Sequence, residues 1–100
     1  MTLHTRITEL FQIDLPIIQA PMAGVQTSPM CISVSQAGGL GSLPCAMLTP
    51  DTLRQELQAI NDQCERPYNV NFFCHTSPAL DPQRETIWRT ALDRKSTRLN

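Results

Sequence analysis

The polar side chains that could do chemistry lie within short apolar runs or just after them. Asn71 lies in the run from Tyr68 to Phe73, where a buried amide needs hydrogen-bond partners. An amide both donates and accepts hydrogen bonds, which suits the polar edge of a planar ring or a phosphate oxygen. Asn69 has the same chemistry and, at a period of two, faces the same side. Because Asn69 lies deeper in the run, Asn71 is the better candidate; a hydrogen bond to a neighbouring strand end is the alternative.

Two other features follow apolar runs. Residues 20–24 are Ala-Pro-Met-Ala-Gly, and side chains this small would let a planar ring approach the backbone. Gly24 would permit a sharp turn, and a plain strand-ending loop is the alternative. His75 could carry a proton near neutral pH, with loop packing as the competing interpretation.

The cysteines predict no metal site. They form no CxxC pair, and their spacing matches no zinc template. We expect reduced thiols in a cytoplasmic protein, each acting as a small buried apolar residue. The four are Cys31, Cys45, Cys64 and Cys74.

Strand-like and helix-like segments alternate along the chain. The apolar runs predict strands at 16–20, 40–43 and 68–73, each followed, on the same side of the sheet, by a helix that opens with a capping residue and a proline. These openings are Ser28-Pro29, Thr49-Pro50 and Asp81-Pro82. The second helix has apolar residues at helical spacing (Leu53, Leu57, Ile60 and Cys64), and the third has a similar stripe that includes Trp88, which we expect to anchor it to the sheet.

This alternation predicts parallel strands with right-handed crossovers, as in a TIM barrel or an open doubly wound sheet. No GxGxxG follows the first strand, so the dinucleotide-binding fold loses its main support. In barrel enzymes the site forms at the carboxyl ends of the strands. We therefore expect Ala20, Met22 and Asn71 to converge at one end of the sheet, with His75 nearby.

Composition excludes several classes of partner. The net charge is −1 and 41% of residues are hydrophobic, as in an ordinary folded protein. We expect neither a nucleic-acid nor a membrane partner, since no basic excess and no apolar run of about 20 residues occurs. Residues 94–100, which include three of the eight basic residues, resemble translated sequencing-adapter read-through. We interpret them as a foreign or disordered tail, with a short native linker as the alternative.

Three segments resemble the opening of a flavin-dependent barrel of the nitronate monooxygenase family, formerly called 2-nitropropane dioxygenase. They are PIIQAPMAGV from Pro16, AGGLGSL from Ala37 and YNVNFFCH from Tyr68. The first segment is similar also to FMN-dependent enoyl-acyl-carrier-protein reductases, whereas QAPM and NVNFF favour nitronate monooxygenase. Gln26, where many relatives carry serine, and Pro44-Cys45 depart from the family pattern, and the choice between the two enzymes stays open.

The resemblance implies that residues 1–93 are the first three βα units of a truncated (β/α)8 TIM barrel, which takes about 250 residues when complete. It implies an enzyme that binds FMN and oxidises alkyl nitronates with dioxygen. It also implies that Ala20, Met22 and Asn71 contact the cofactor and that the catalytic histidine lies beyond residue 100. We therefore expect no catalytic residue here and no activity from the 100 residues alone. A reductase fragment and a non-enzymatic small binding domain are the alternatives.

Overall fold

The computed structural model describes residues 3–99 and gives side-chain environments up to residue 95. Within this range the chain forms a parallel sheet covered on one face by helices. The elements in chain order are α1 (Arg6–Phe11), α2 (Ser28–Gln36), β1 (Gly41–Pro44), α3 (Pro50–Gln63), β2 (Tyr68–Asn71) and α4 (Pro82–Leu99).

Strands β1 and β2 pair in parallel, with Gly41 opposite Tyr68 and Pro44 opposite Asn71. The first predicted strand, 16–20, is reduced to one parallel bridge between Ile18 and Leu40. The prolines that begin and follow that segment explain its shortness, because Pro16 and Pro21 have no N–H to donate to a ladder. The prediction of three βα units is therefore not confirmed, although the parallel direction is.

The third predicted strand, 68–73, ends at Asn71, two residues early. The last backbone bond of the pair runs from the Cys45 N–H to the Asn71 carbonyl oxygen, at 2.8 Å. Beyond it Phe72 and Phe73 lie exposed, at 52% and 62% of their surface.

The core lies between β1 and helices α2 and α3. Leu43, Cys31 and Ile60 are fully buried there, and the predicted stripe of α3 faces this core, with Leu53 and Leu57 partly buried. Gly41 lets α2 approach closely, since a Cβ at that position would lie 2.1 Å from the Cys31 carbonyl oxygen. Burying each large aliphatic side chain contributes about 1.5–3 kcal/mol.

Helices α1 and α2 each begin after a threonine at the N-cap position. The apolar pattern does not predict α1, which is stabilised by reciprocal bonds between Thr5 and Thr8: each side-chain oxygen accepts from the other residue's backbone N–H. A threonine replaces the usual Glu or Gln of this motif, so the signal is weak in sequence. In α2 the N-cap is Thr27, one residue before the predicted Ser28. Gly38 has a left-handed backbone after that helix, at φ +107°.

Helix α4 corrects two expectations. Every residue from 72 to 95 is exposed, and Trp88 exposes 66% of its surface. The expectations that Trp88 anchors this helix to the sheet, and that the third helix covers the same face as the other two, are therefore wrong. The helix also continues past residue 93 to Leu99, so the backbone of the predicted tail is helical up to that point; its foreign origin stays a prediction.

Candidate functional site at the carboxyl edge of the sheet

A tight loop, Pro21–Gly24, follows the bridge at Ile18. The Met22 carbonyl oxygen accepts a hydrogen bond from the Val25 N–H at 3.3 Å, which closes the turn. Gly24 has φ +81°, a conformation that side chains disfavour. No heavy atom lies within 4 Å of a Cβ built there, so the backbone conformation, rather than lack of room, requires glycine.

A chain of side-chain hydrogen bonds connects this loop to the sheet. The buried Gln26 accepts through Oε1 from Gln19 Nε2 at 2.8 Å and from the Met22 N–H at 3.3 Å. Gln19 Oε1 in turn accepts from the Ser42 N–H on β1 at 3.0 Å. Asn69 Nδ2 donates to Ser42 Oγ at 3.2 Å and extends the chain to β2. The sheet face opposite α2 and α3 thus carries a polar network.

The two asparagines of β2 have different environments. The Asn69 amide is held by Ser42, whereas the Asn71 side-chain amide has no hydrogen-bond partner among residues 3–99. Asn71 is half-buried, and alternation along β2 places it on the same sheet face as Asn69. The structure therefore leaves the Asn71 amide without a hydrogen-bond partner among the described residues, at the end of the strand.

Ala20 and Met22 follow the Ile18 bridge, and Asn71 ends β2. Because the paired segments are parallel, these residues lie towards the carboxyl edge of the same sheet. Ala20 is exposed, and Met22 exposes 51% of its surface. Their contact with a cofactor stays a prediction.

His75 lies just beyond this edge and is exposed. Its ring packs at a tilt against Phe73, with the ring centroids 5.4 Å apart. Among the described residues, no hydrogen bond or ion pair connects His75 to another group. This arrangement supports the loop-packing interpretation of His75.

The thiols separate into two groups. Cys31, Cys45 and Cys64 are buried in the core, as expected, whereas Cys74 is exposed, so the expectation of burial is wrong for Cys74; all four are free. Burial raises the pKa of the Cys31 thiol to about 11, and the neighbouring Cys64 and Cys45 add to the shift. Burial also raises the pKa of Cys45. The Cys31 and Cys45 thiols are therefore protonated near neutral pH and are poor nucleophiles. In the described part of the chain, no three His, Cys, Asp or Glu residues are grouped to hold a metal ion.

Sequence reasoning missed the hydrogen bonds of two glutamines, treating Gln26 only as a departure from the family pattern and Gln19 only as part of a motif. The available signal is their placement on either side of a Pro-Met-Ala-Gly turn, where a long amide can reach the turn's backbone. The bond between Gln19 and Ser42 depends on strand register, which is not readable from the sequence.

Solved structures place this fold among TIM-barrel enzymes. Two FabK structures from Thermotoga maritima, one of them an M276A mutant, each cover 94% of the chain and about 30% of their own, at 29% identity and TM-scores of 0.66 and 0.68. A nitroalkane oxidase from Streptomyces ansochromogenes covers 76% of the chain at 38% identity, with a TM-score of 0.64, and the match spans 21% of that oxidase. The chain is thus an α/β protein that shares its arrangement with part of a barrel enzyme.

The sequence defines the family. The family model described as nitronate monooxygenase matches residues 4–100, so the chain belongs to the nitronate monooxygenase family. Curated relatives with that name, from Pseudomonas aeruginosa and Paraburkholderia phytofirmans, are 42% identical over 83 and 79 residues. The match covers 83% and 79% of this chain but only 24% and 22% of those proteins. The chain therefore spans about a quarter of the length of the relatives it matches.

Among residues 3–99, no helix combines the length and hydropathy needed to cross a lipid bilayer.

Proposed function

We propose that this chain is the N-terminal part of a cytoplasmic, FMN-dependent nitronate monooxygenase, which oxidises alkyl nitronates with dioxygen. Its described residues supply the first βα units of a (β/α)8 barrel. The observation that carries the proposal is the free Asn71 amide, on the polar sheet face and at the same edge as the Ala20–Met22 segment.

The residues at this edge fit a flavin. Ala20 and Met22 are exposed and offer a small or flexible surface to a planar ring. The Asn71 amide can both donate to and accept from polar atoms at a ring edge or a phosphate. FMN supplies the redox chemistry when bound, and the protein's part is to orient it and set the local electrostatics.

A second candidate, an FMN-dependent enoyl-acyl-carrier-protein reductase, shares the first motif. The FabK likeness bears on this alternative because it covers more of the chain than the nitroalkane oxidase likeness. However, its identity is 29%, against 38% for the nitroalkane oxidase and 42% for the curated nitronate monooxygenases. Sequence identity therefore favours a nitronate monooxygenase over the reductase.

A chimera provides the test. The 83 matched residues of this chain would replace their counterparts in the Pseudomonas aeruginosa relative, so that the missing barrel is restored. We expect the purified chimera to retain FMN and to consume oxygen with an alkyl nitronate. Oxidation of a reduced nicotinamide by an enoyl thioester, without nitronate turnover, would favour the reductase. Absence of bound FMN would contradict the proposal.

Two asparagine variants of the chimera locate the contact. Asn71→Ala removes the free amide and should weaken FMN binding about 10-fold, the loss expected for one hydrogen bond to a ligand. Asn69→Ala is the matched control: it removes an amide already bonded to Ser42, so it should lower stability more than FMN affinity. The opposite ranking would move the contact to Asn69.

The 100 residues alone should bind FMN weakly and turn over no nitronate. The phosphate site of such barrels usually forms after strands seven and eight, and a short open sheet leaves an edge and a face uncovered. Flavin fluorescence during titration with the purified chain checks this. Saturable micromolar binding, or turnover above that of free FMN, would show that this segment carries more of the site than we propose.

A further inference from the structure

Phe73 and His75 form a ring pair directly after β2. Their ring centroids lie 5.4 Å apart and the ring planes are tilted by 49°, which is typical of favourable aromatic contacts. Because the two residues are two positions apart, their contact indicates a locally extended chain in which both side chains project to the same side. At the same period Asn71, two residues before Phe73, belongs to this side. The series Asn71, Phe73 and His75 therefore continues the polar sheet face beyond the end of the strand.

The two neighbouring phenylalanines differ in what holds them. Phe72 exposes 52% of its surface and Phe73 exposes 62%. In the described part of the chain, the Phe73 ring packs against His75, whereas Phe72 has no ring partner. By alternation Phe72 also projects to the opposite side. Phe73 is thus an apolar ring that is held in place while most of its surface stays open.

This open ring lies next to the Asn71 amide. Residues two apart on an extended chain are separated by about 6.5–7 Å, which is within the length of a small organic molecule. The Asn71 amide has no hydrogen-bond partner among residues 3–99, and it lies at the carboxyl edge of the sheet. Phe73 follows it outwards along the chain. A substrate that approaches a cofactor held by Asn71 from beyond this edge therefore meets the Phe73 ring.

An alkyl nitronate has two parts with different requirements. Its nitronate group is a planar anion that reacts at the flavin, whereas its alkyl group is apolar and is stabilised by any surface that removes it from water. Phe73 offers such a surface. A ring that is already held before the substrate arrives also loses less conformational entropy on binding than a free side chain.

We propose that Phe73 binds the alkyl group of the nitronate and sets the preference for its length, and that His75 is a positioning residue that holds the Phe73 ring. This inference rests on the proposed function, since it names the part of the same site that takes the alkyl group. It assigns His75 a role through its ring surface rather than through proton transfer.

Turnover of nitronates of increasing length tests the alkyl contact in the chimera described above. From ethyl to hexyl nitronate, kcat/KM should rise about twofold for each added methylene, since one ring covers only part of it. Phe73→Ala should remove most of this rise and lower kcat/KM for hexyl nitronate about 10-fold. The loss should appear mainly in KM, because the alkyl group is bound alike before and in the transition state.

Phe72→Ala is the matched control. It removes a neighbouring ring of similar exposure on the opposite side of the chain, so it should retain the chain-length dependence of the parent. Equal dependence in the parent and Phe73→Ala would overturn the inference, and so would equal losses in Phe72→Ala and Phe73→Ala.

Two substitutions at His75 separate ring packing from proton chemistry. His75→Phe keeps a ring against Phe73 and removes both ring nitrogens, so it should retain the chain-length dependence and keep kcat/KM within about twofold of the parent. His75→Ala removes the ring and should lower kcat/KM for hexyl nitronate about threefold, with less effect on ethyl nitronate. If His75→Phe loses turnover with every nitronate, as loss of a proton carrier would require, the positioning role is wrong.

A measurement without cofactor or substrate distinguishes failure of this inference from failure of the proposed function. The NMR signals of the His75 ring protons in the 100-residue chain should move in Phe73→Leu, which removes the adjacent ring, and stay in place in Phe72→Leu. Signals that respond to both variants alike, or to neither, overturn the inference even if the chimera oxidises nitronates. A confirmed ring pair in a chimera that binds no FMN, or that oxidises no nitronate, rejects the proposed function and the alkyl-binding role with it. A chimera that oxidises nitronates with unchanged chain-length dependence in Phe73→Ala rejects this inference alone.

Discussion

Helices α3 and α4 begin with the same capping pattern but lie in opposite environments. Each opens at a capping residue and a proline: Thr49 Oγ1 accepts from the Thr52 N–H, and Asp81 Oδ1 accepts from the Arg84 N–H. Each carries apolar residues at helical spacing. Yet the stripe of α3 packs into the core around Ile60, whereas every residue of α4 up to Lys95 is exposed.

The difference shows what a sequence pattern can specify. Capping and periodicity are local, so they predict that a helix forms and which side chains share a face. The partner of that face is set by the rest of the fold. Helix α3 meets α2 beside β1, while among the described residues no strand or helix covers the apolar side chains of α4.

The largest expected effect tests this contrast with the same substitution in both helices. Ile60→Ala removes a fully buried side chain and should lower the free energy of unfolding by about 4 kcal/mol. Ile87→Ala on α4 removes a side chain that is 68% exposed and should change it by less than about 0.5 kcal/mol. Urea denaturation followed by circular dichroism measures both. Equal losses would mean that α4 is packed in solution.

The next effect concerns the closeness of α2 to β1. Gly41→Ala would place a Cβ 2.1 Å from the Cys31 carbonyl oxygen and 2.6 Å from Ser35 Oγ. The first of these is backbone and cannot rotate away, so we expect a loss of about 3 kcal/mol. Gly24→Ala is the control, since its Cβ meets no atom within 4 Å and only the positive φ opposes it, at about 1 kcal/mol. The reverse order in urea denaturation would contradict this packing.

The fold was predictable where local chemistry decides it, and less so where register decides it. Residues 40–43 and the helix after Thr49-Pro50 could be placed because apolar runs and caps are adjacent in sequence. The apolar residues of segment 16–20 predict a strand, but Pro16 and the adjacent Pro21 limit it to one bridge. At the candidate site, Asn71 could be singled out by its polarity in an apolar run. The hydrogen bonds that connect Gln26, Gln19 and Ser42 could not be predicted, because Gln19 and Ser42 are 23 residues apart in the sequence.

A smaller expected effect is a pH dependence of the unfolding free energy that arises from a buried thiol in the core. The Cys31 thiol has a pKa of about 11 in the folded chain, above its ordinary value of 9.0, because of burial and then of Cys64 and Cys45. Between these pH values the unfolded chain releases a proton that the folded chain retains. The stabilisation is therefore complete below pH 9.0 and is lost as pH rises towards about 11.

Cys31→Ala should make the unfolding free energy less dependent on pH in this window. A residual slope should remain, because burial also raises the pKa values of Cys45 and Tyr68. Cys74→Ala provides the matched control, since Cys74 is exposed and should leave the slope unchanged. Denaturation series at several alkaline pH values measure the slopes, and identical slopes for all three proteins would rule out the buried thiol as the cause.

The smallest expected effect is a nearly unchanged tryptophan fluorescence on unfolding. Trp88 is the only tryptophan, and it lies on α4 with 66% of its surface exposed. Its fluorescence should therefore change little when urea unfolds the chain, while circular dichroism reports the loss of α2, α3 and the sheet. Acrylamide should quench the native and unfolded chains to a similar extent, because water already surrounds most of the ring. A blue-shifted native emission would show that α4 is covered. A shift that grows with protein concentration would assign the cover to a second copy of the chain, whereas one that does not would place Trp88 against the chain's own core and contradict the separation between α3 and α4.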